Sequence, residues 1–235
     1  FVLDTGAEMT VITKPVAERT GIRPDIFTLS AGVGAIGMRG LLVGRIDRLQ
    51  IGTLDFKHVP TLIKNPPLTG LPTMEAEGFN PLALGYSMTV DYRNRVVSMQ
   101  KMPPEPGPGV QRLPIRVHRL ATVKGIINRD NPVPFVIDTG GEVISLNRST
   151  AEALRLEPPR HIALKVYGTS GWDPSAFLLP GLHLSFDRVQ LENQAVVVLD
   201  LDAPSALLGF ELGGIVGHKF LSKYRVTVDL PRSEM

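Results

Sequence analysis

Two short stretches of this chain carry an acid in the same setting. Phe1-Val2-Leu3-Asp4-Thr5-Gly6-Ala7 and Phe135-Val136-Ile137-Asp138-Thr139-Gly140-Gly141 both run from apolar residues into Asp-Thr-Gly. The apolar prefix reads as a buried strand that delivers its carboxylate to the edge of a core. Threonine offers a hydroxyl that can bond across to a matching turn, and glycine lets the backbone turn tightly beside the acid. Two such loops related by a pseudo-two-fold axis would bring their carboxylates to close range. Like charges that near cannot both ionise, so the pair would share one proton. One aspartate could then take a proton from water while the other protonates a substrate carbonyl. That is general acid–base hydrolysis, which requires no metal and no covalent intermediate.

The elements that must hold these acids repeat as well. Setting Asp4 on Asp138 aligns the two halves without a gap for more than thirty residues, at an offset of 134. A helix-capping residue type stands at Thr13 and at Asn147, and Ala17-Glu18 matches Ala151-Glu152. Thus "TKPVAERTGI" and "NRSTAEALRL" each predict a helix of two or three turns with a capped start. Gly34 and Gly37 in one half correspond to Gly168 and Gly171 in the other. The stretches "LDFKHVPTLI" (54–63) and "VQLENQAVVV" (189–198) both predict strands. Both halves close on Thr-Val-Asp, at 89–91 and 227–229, and Met102 to Gly109 is dense in proline and glycine, as a linker is. The expected organisation is a tandem duplication of a mainly β unit: a first half over 1–101, a linker over 102–112 and a second half over 113–235. Leu113 to Pro134 leads into the second motif as strand, turn and strand, and the first copy has no such segment. The expectation is therefore that the chain begins inside a longer polypeptide.

Composition narrows the choice of chemistry. Basic and acidic residues are nearly balanced, 25 against 23, and the most basic region (112–129) alternates its charges with apolar residues like a solvated strand surface. A nucleic-acid partner is not expected. With no cysteine there can be no disulfide, thiol nucleophile or thiolate metal site. The five histidines lack metal-type spacing. Ser145, Ser149 and Ser170 lack the setting of a serine nucleophile. Gly32 to Gly37 fits a dinucleotide fingerprint in spacing, but strand-like residues follow instead of the helix such a site needs. Neither metal nor cofactor is expected. No apolar run approaches the ~18 residues of a membrane helix.

The two motifs resemble the active-site loops of retropepsin-like aspartic proteases. The likeness continues through "GGIVGHKFLSKYRVTVDL" (213–230), which is similar to that family's apolar pair and glycine before a helix and a last strand. The resemblance implies two closed β-barrel halves of the acid-protease type, related by a pseudo-two-fold axis, each with one or two short helices. It implies Asp4 and Asp138 as the catalytic dyad, with Thr5, Gly6, Thr139 and Gly140 supporting the loops. It implies substrate contacts from Ala7, Glu8, Gly141 and Glu142. It also implies two flap tips that close over an extended peptide, carrying Gly34, Ile36 and Gly37 in one half and Gly168, Ser170, Gly171 and Trp172 in the other. The implied partner is a peptide or protein substrate, and the implied state a monomer that builds one site from its own halves. Two rivals remain: each copy pairing with its twin in a second chain, or an inactive peptide-binding module. The counterpart of Gly217 in the first half is open between Gly85 and Gly78, with Gly78 preferred.

Overall fold

The computed structural model describes residues 1–70 and 75–235. Two β-sheets, one per half, are joined by a third sheet that both halves build. In the first half the strand order runs Val2–Leu3, Gly78–Phe79, Thr10–Thr13, Leu54–Lys64, Met38–Ile51, Pro24–Ala31. In the second it runs Asn131–Ile137, Gly214–Val216, Ser145–Asn147, Val189–Leu199, Phe177–Phe186, Leu120–Ile127, Ile115–His118. Asn131–Ile137 also pairs with Leu120–Ile127, so the second sheet closes on itself as a barrel. Among the described residues the first sheet has no corresponding closing pairing.

The repeat is visible in the register. Val2 and Leu3 lie parallel to Gly78 and Phe79, just as Val136 and Ile137 lie parallel to Ile215 and Val216. The shared prefix nevertheless has two fates. Phe135 is fully buried, edge-on to Phe186, and fills space left by Gly125 and Gly214; a methyl group at either glycine would strike its ring at 2.7 or 2.6 Å. Phe1 is 63% exposed.

Both expected helices form, over Lys14–Thr20 and Arg148–Ala153, but their capping residues work elsewhere. Neither Thr13 nor Asn147 caps through its side chain. The Thr13 hydroxyl donates to Glu77 at 2.7 Å, and Asn147 receives the Leu201 N–H and reaches Asp202. Tertiary bonds have won over local ones. Gly21 ends the first helix in the left-handed region (φ 69°), where a side chain would be strained.

The third sheet joins Arg225–Val228 to Ser87–Asp91, which also pairs with Val96–Gln100. Thr89 faces Thr227 there with the two hydroxyls 2.8 Å apart, so the repeated Thr-Val-Asp segments meet on the axis that relates the halves. Met88 and Val90 enter the larger core with Val226 and Val228, which welds the halves together. Residues 103–106 have no regular structure. Among the described residues no helix is long and apolar enough to cross a membrane.

Candidate active site

Each Asp-Thr-Gly loop begins where its strand ends, and the strand beside it fixes its start. The Asp4 N–H donates to Phe79 at 2.9 Å and the Asp138 N–H to Val216 at 3.1 Å. The threonines then lock the loops reciprocally. Thr5 Oγ1 donates to the Ile137 carbonyl at 2.6 Å and receives the Thr139 N–H at 3.0 Å. Thr139 Oγ1 donates to the Leu3 carbonyl at 2.6 Å and receives the Thr5 N–H at 3.2 Å. Each hydroxyl therefore satisfies two backbone groups of the opposite motif.

This lock brings the carboxyls together. A methyl group on Gly6 would lie 2.5 Å from Asp138 Cγ, and one on Gly140 would lie 2.8 Å from Asp4 Cγ. Each loop glycine is thus pressed against the acid of the other half. The Gly6 N–H donates to Asp4 Oδ1 at 3.1 Å and the Gly140 N–H to Asp138 Oδ1 at 2.8 Å. Both acids keep some solvent exposure although protein surrounds them. Burial, and then the charge of Asp4, pushes Asp138 up to about 7; the Gly141 and Gly140 N–H groups pull against this. Burial also raises Asp4, held back by the Gly6 N–H, by Asp138 and by Lys64. At mildly acid pH the pair therefore keeps one proton.

The two expected flap tips are hairpin ends that meet. Pro24–Ala31 and Met38–Ile51 are antiparallel with Ala31 opposite Met38, and Val166–Gly168 and Gly171–Asp173 form the shorter hairpin. The Ala35 N–H donates to Trp172 at 2.7 Å, the Ile36 N–H to Ser170 at 3.2 Å and the Ser170 N–H to Val33 at 2.9 Å. Gly34 and Gly168 permit this crossing, since a side chain on either would collide with the opposing backbone. Ser170 is buried, with its hydroxyl on the Gly37 carbonyl at 3.0 Å, so it joins the tips. Ile36 is exposed. Trp172 sits at the rim, its ring against Tyr167 and its indole N–H on the Gly70 carbonyl at 3.1 Å.

The two glutamates differ. Glu8 pairs with Arg119 of the other half at 2.8 Å and is half-buried, whereas Glu142 pairs with Lys219 on the surface. Ala7 and Gly141 follow their loops as expected, with Gly141 packed against its own acid.

Sequence reasoning missed Asn80. The registers make Gly78 the counterpart of Ile215, so Asn80, and neither Gly78 nor Gly85, stands where Gly217 stands. In the second half the His218 N–H donates to Gly141 at 2.7 Å from the start of the short helix His218–Leu221. In the first half that helix shrinks to a 3-10 turn over Leu82–Leu84, and the Asn80 side-chain amide takes the equivalent Ala7 carbonyl at 2.6 Å. Its Oδ1 also receives the Leu82 N–H at 2.9 Å. One amide side chain replaces a turn of helix. Asn80→Ala is expected to strand both backbone groups in a buried place, at ~1–3 kcal/mol. Calorimetry would read this as a melting temperature lower by roughly 2–10 °C; an unchanged value would deny Asn80 this role.

Residues 1–71 match the family model for the gag-polyprotein aspartyl protease, and residues 123–212 match the model for aspartyl protease. No curated protein matches the chain. Similar solved structures include EIAV protease complexed with the inhibitor HBY-793 (19% identity, 43% of this chain, 85% of that one, TM-score 0.34). A retropepsin-like aspartic protease from Rickettsia conorii is 17% identical over 49% of this chain and 80% of its own, at a TM-score of 0.37. The retroviral protease-like domain of Ddi1 from Leishmania major is 15% identical over 47% and 81%, at 0.30. With an aspartyl protease model matched in each half, the chain is similar to the aspartyl proteases over residues 1–71 and 123–212. Among the described residues no cluster of three or more metal-ligating side chains occurs.

Proposed function

We propose that this chain is a single-chain aspartic endopeptidase that cleaves extended polypeptides between Asp4 and Asp138. One observation carries the reading: two carboxyls from different halves are held against each other by reciprocal threonine bonds. The ionised member takes a proton from a water, and that oxygen bonds to the peptide carbonyl carbon. The protonated member passes its hydrogen to the carbonyl oxygen, giving a gem-diol. The C–N bond then breaks, with the first proton going to nitrogen and a gem-diol hydrogen returning to the second acid, so both groups are regenerated. The meeting hairpin tips suit a lid that admits an extended segment and excludes bulk water. Ala7, Gly141 and the tip glycines would let main chain approach main chain, as in strand addition. Pairing inside one chain favours a monomer over twin-pairing, so light scattering should report one chain at every dilution that is active.

The pH profile tests the mechanism. Activity requires one proton on the pair, so cleavage of an unstructured protein is expected to follow a bell. The alkaline limb should fall near pH 7, as the shared proton leaves, and the acid limb should lie above the ordinary aspartate value of 3.8. A parent protein that cleaves nothing between those limbs would instead fit an inactive peptide-binding module.

A further inference from the structure

The hairpin tips are tied down by more than their own backbone. Arg39 stands at the mouth of the first hairpin, just past the Ala31–Met38 pair, and its side chain is only 9% exposed. Its guanidinium reaches three ways. Nη1 donates to the Thr169 carbonyl in the tip of the other half at 3.3 Å and lies 3.4 Å from Glu75, and Nη2 donates to the Pro66 carbonyl at 3.2 Å. Glu75 is as covered as Arg39 and is itself held in place, receiving the Leu68 N–H at 3.0 Å. Lys64 completes the cluster 4.0 Å from Glu75, with Nζ on the Ala76 carbonyl at 2.9 Å. Ala76 leads into Gly78, where a methyl group would rest 3.5 Å from Asp4 Oδ2, so the tie lands on the segment beside that acid. The repeat offers no twin for this device. At the offset of 134 the residue matching Arg39 is Asp173, which is buried too but directs Oδ1 to the Ser175 N–H at 2.8 Å and Oδ2 to the Asp200 N–H at 3.2 Å, all within its own half. Where the first tip meets the second half, Gly37 instead rests on Ala203; a methyl group on Gly37 would lie 3.3 Å from Ala203 Cβ.

We infer that Arg39 is a positioning residue, a latch that fastens both hairpin tips to the wall on the Asp4 side and so sets how readily they part for a peptide. The inference rests on the proposed function and deepens it. Lifting the second tip breaks the Arg39 bond to Thr169. Lifting the first hairpin, which carries Arg39, breaks the bonds to Glu75 and Pro66 as well. The remaining ties between the tips are neutral: three backbone N–H groups, of Ala35, Ile36 and Ser170, and the Ser170 hydroxyl on Gly37. Bonds from a cation are roughly twice as strong as neutral ones, and the planar fork of arginine meets several acceptors from one rigid group. Pulling a covered guanidinium off its carboxylate also leaves charge poorly compensated, which makes release costlier than the loss of a surface pair. An extended peptide entering beneath the tips therefore has this one side chain to displace.

Native-state hydrogen exchange of the Ala35, Ile36 and Ser170 amides tests this, because each is protected by a bond from one tip to the other. Arg39→Leu leaves Glu75 beside Lys64, so the fold should persist. The tip amides should then exchange roughly tenfold faster, the factor that loss of one hydrogen bond to a charged group implies. The Asn147 amide, bonded to Gly213 inside the second half, should keep its rate, which a general loosening would not allow. Should the leucine variant fail to fold, Arg39→Lys serves: one ammonium cannot reach Glu75, Thr169 and Pro66 together, so the tips should still quicken, by less. In an Asp138→Asn background, association of an unstructured peptide should speed up with the exchange. The latch is overturned if the tip amides hold their rates in whichever variant folds, or quicken no more than Asn147. Faster tips with unchanged association would overturn its part in admitting substrate. The exchange rates need no cleavage, so a parent that cleaves nothing would sink the protease reading and still leave the latch decided.

Discussion

Asp138→Asn is expected to abolish cleavage, by about a thousandfold or more, while the protein stays folded. The amide keeps the shape and can still receive the Gly140 N–H, now made at 2.8 Å to Oδ1. What it cannot do is give up and recover the shared proton, and general acid–base transfer of this kind contributes ~10²–10⁴-fold. Stability should change with the opposite sense. In the folded chain Asp138 sits at about 7, against 3.8 for an ordinary aspartate. A carboxyl whose folded value is raised costs nothing below about pH 4, where it is protonated in both states, and destabilises increasingly as pH rises through 7. The variant should therefore match the parent in denaturant at pH 3.5 and exceed it at pH 8. At ~1.4 kcal/mol per pKa unit the gain is a few kcal/mol at most, reduced by the solvent that reaches the site. Undiminished cleavage by the variant would remove Asp138 from the mechanism.

Thr5→Val should cost the most stability for the least change in shape. Thr5 is fully buried, and its hydroxyl serves the Ile137 carbonyl and the Thr139 N–H together. Valine leaves both without a partner, at ~1–3 kcal/mol each. For a chain of this size the melting temperature should fall by roughly 5–15 °C. Activity should fall further than the folded fraction accounts for, because the same bonds aim the carboxyls. Thr5→Ser keeps the hydroxyl and should restore most of both. If valine and serine melt together, the interlock is not what joins the loops.

Much of this was legible because the chain says it twice. The repeated prefix placed both acids at strand ends, and the matched pairs Gly34/Gly37 and Gly168/Gly171 marked hairpin tips that the structure finds in contact. Three features stayed hidden, each because it depends on register. Thr13 and Asn147 have cap-type side chains, but nothing local shows that Glu77 and Leu201 outcompete the helix ends for them. Asn80 replaces a glycine and a helix start by supplying one amide, a substitution of function that no alignment of residue types exposes. Lys64 closes a strand, where a lysine ordinarily marks solvent; only the registers, which pair it with Thr13 where Leu199 pairs with Asn147, show it as a departure from symmetry. Closure of the second barrel by Asn131–Ile137 against Leu120–Ile127 followed the strand, turn and strand expected there.

The most direct test of the central claim is the carboxyl carbon titration of Asp138 in the parent and in Asp4→Asn. If the two acids meet, Asp138 titrates near pH 7 in the parent and falls clearly once the neighbouring charge is gone, remaining above 3.8 because its burial persists. An Asp138 midpoint that is ordinary in the parent, or indifferent to the loss of Asp4, would mean the carboxyls do not share a proton, and the account built on them would fail.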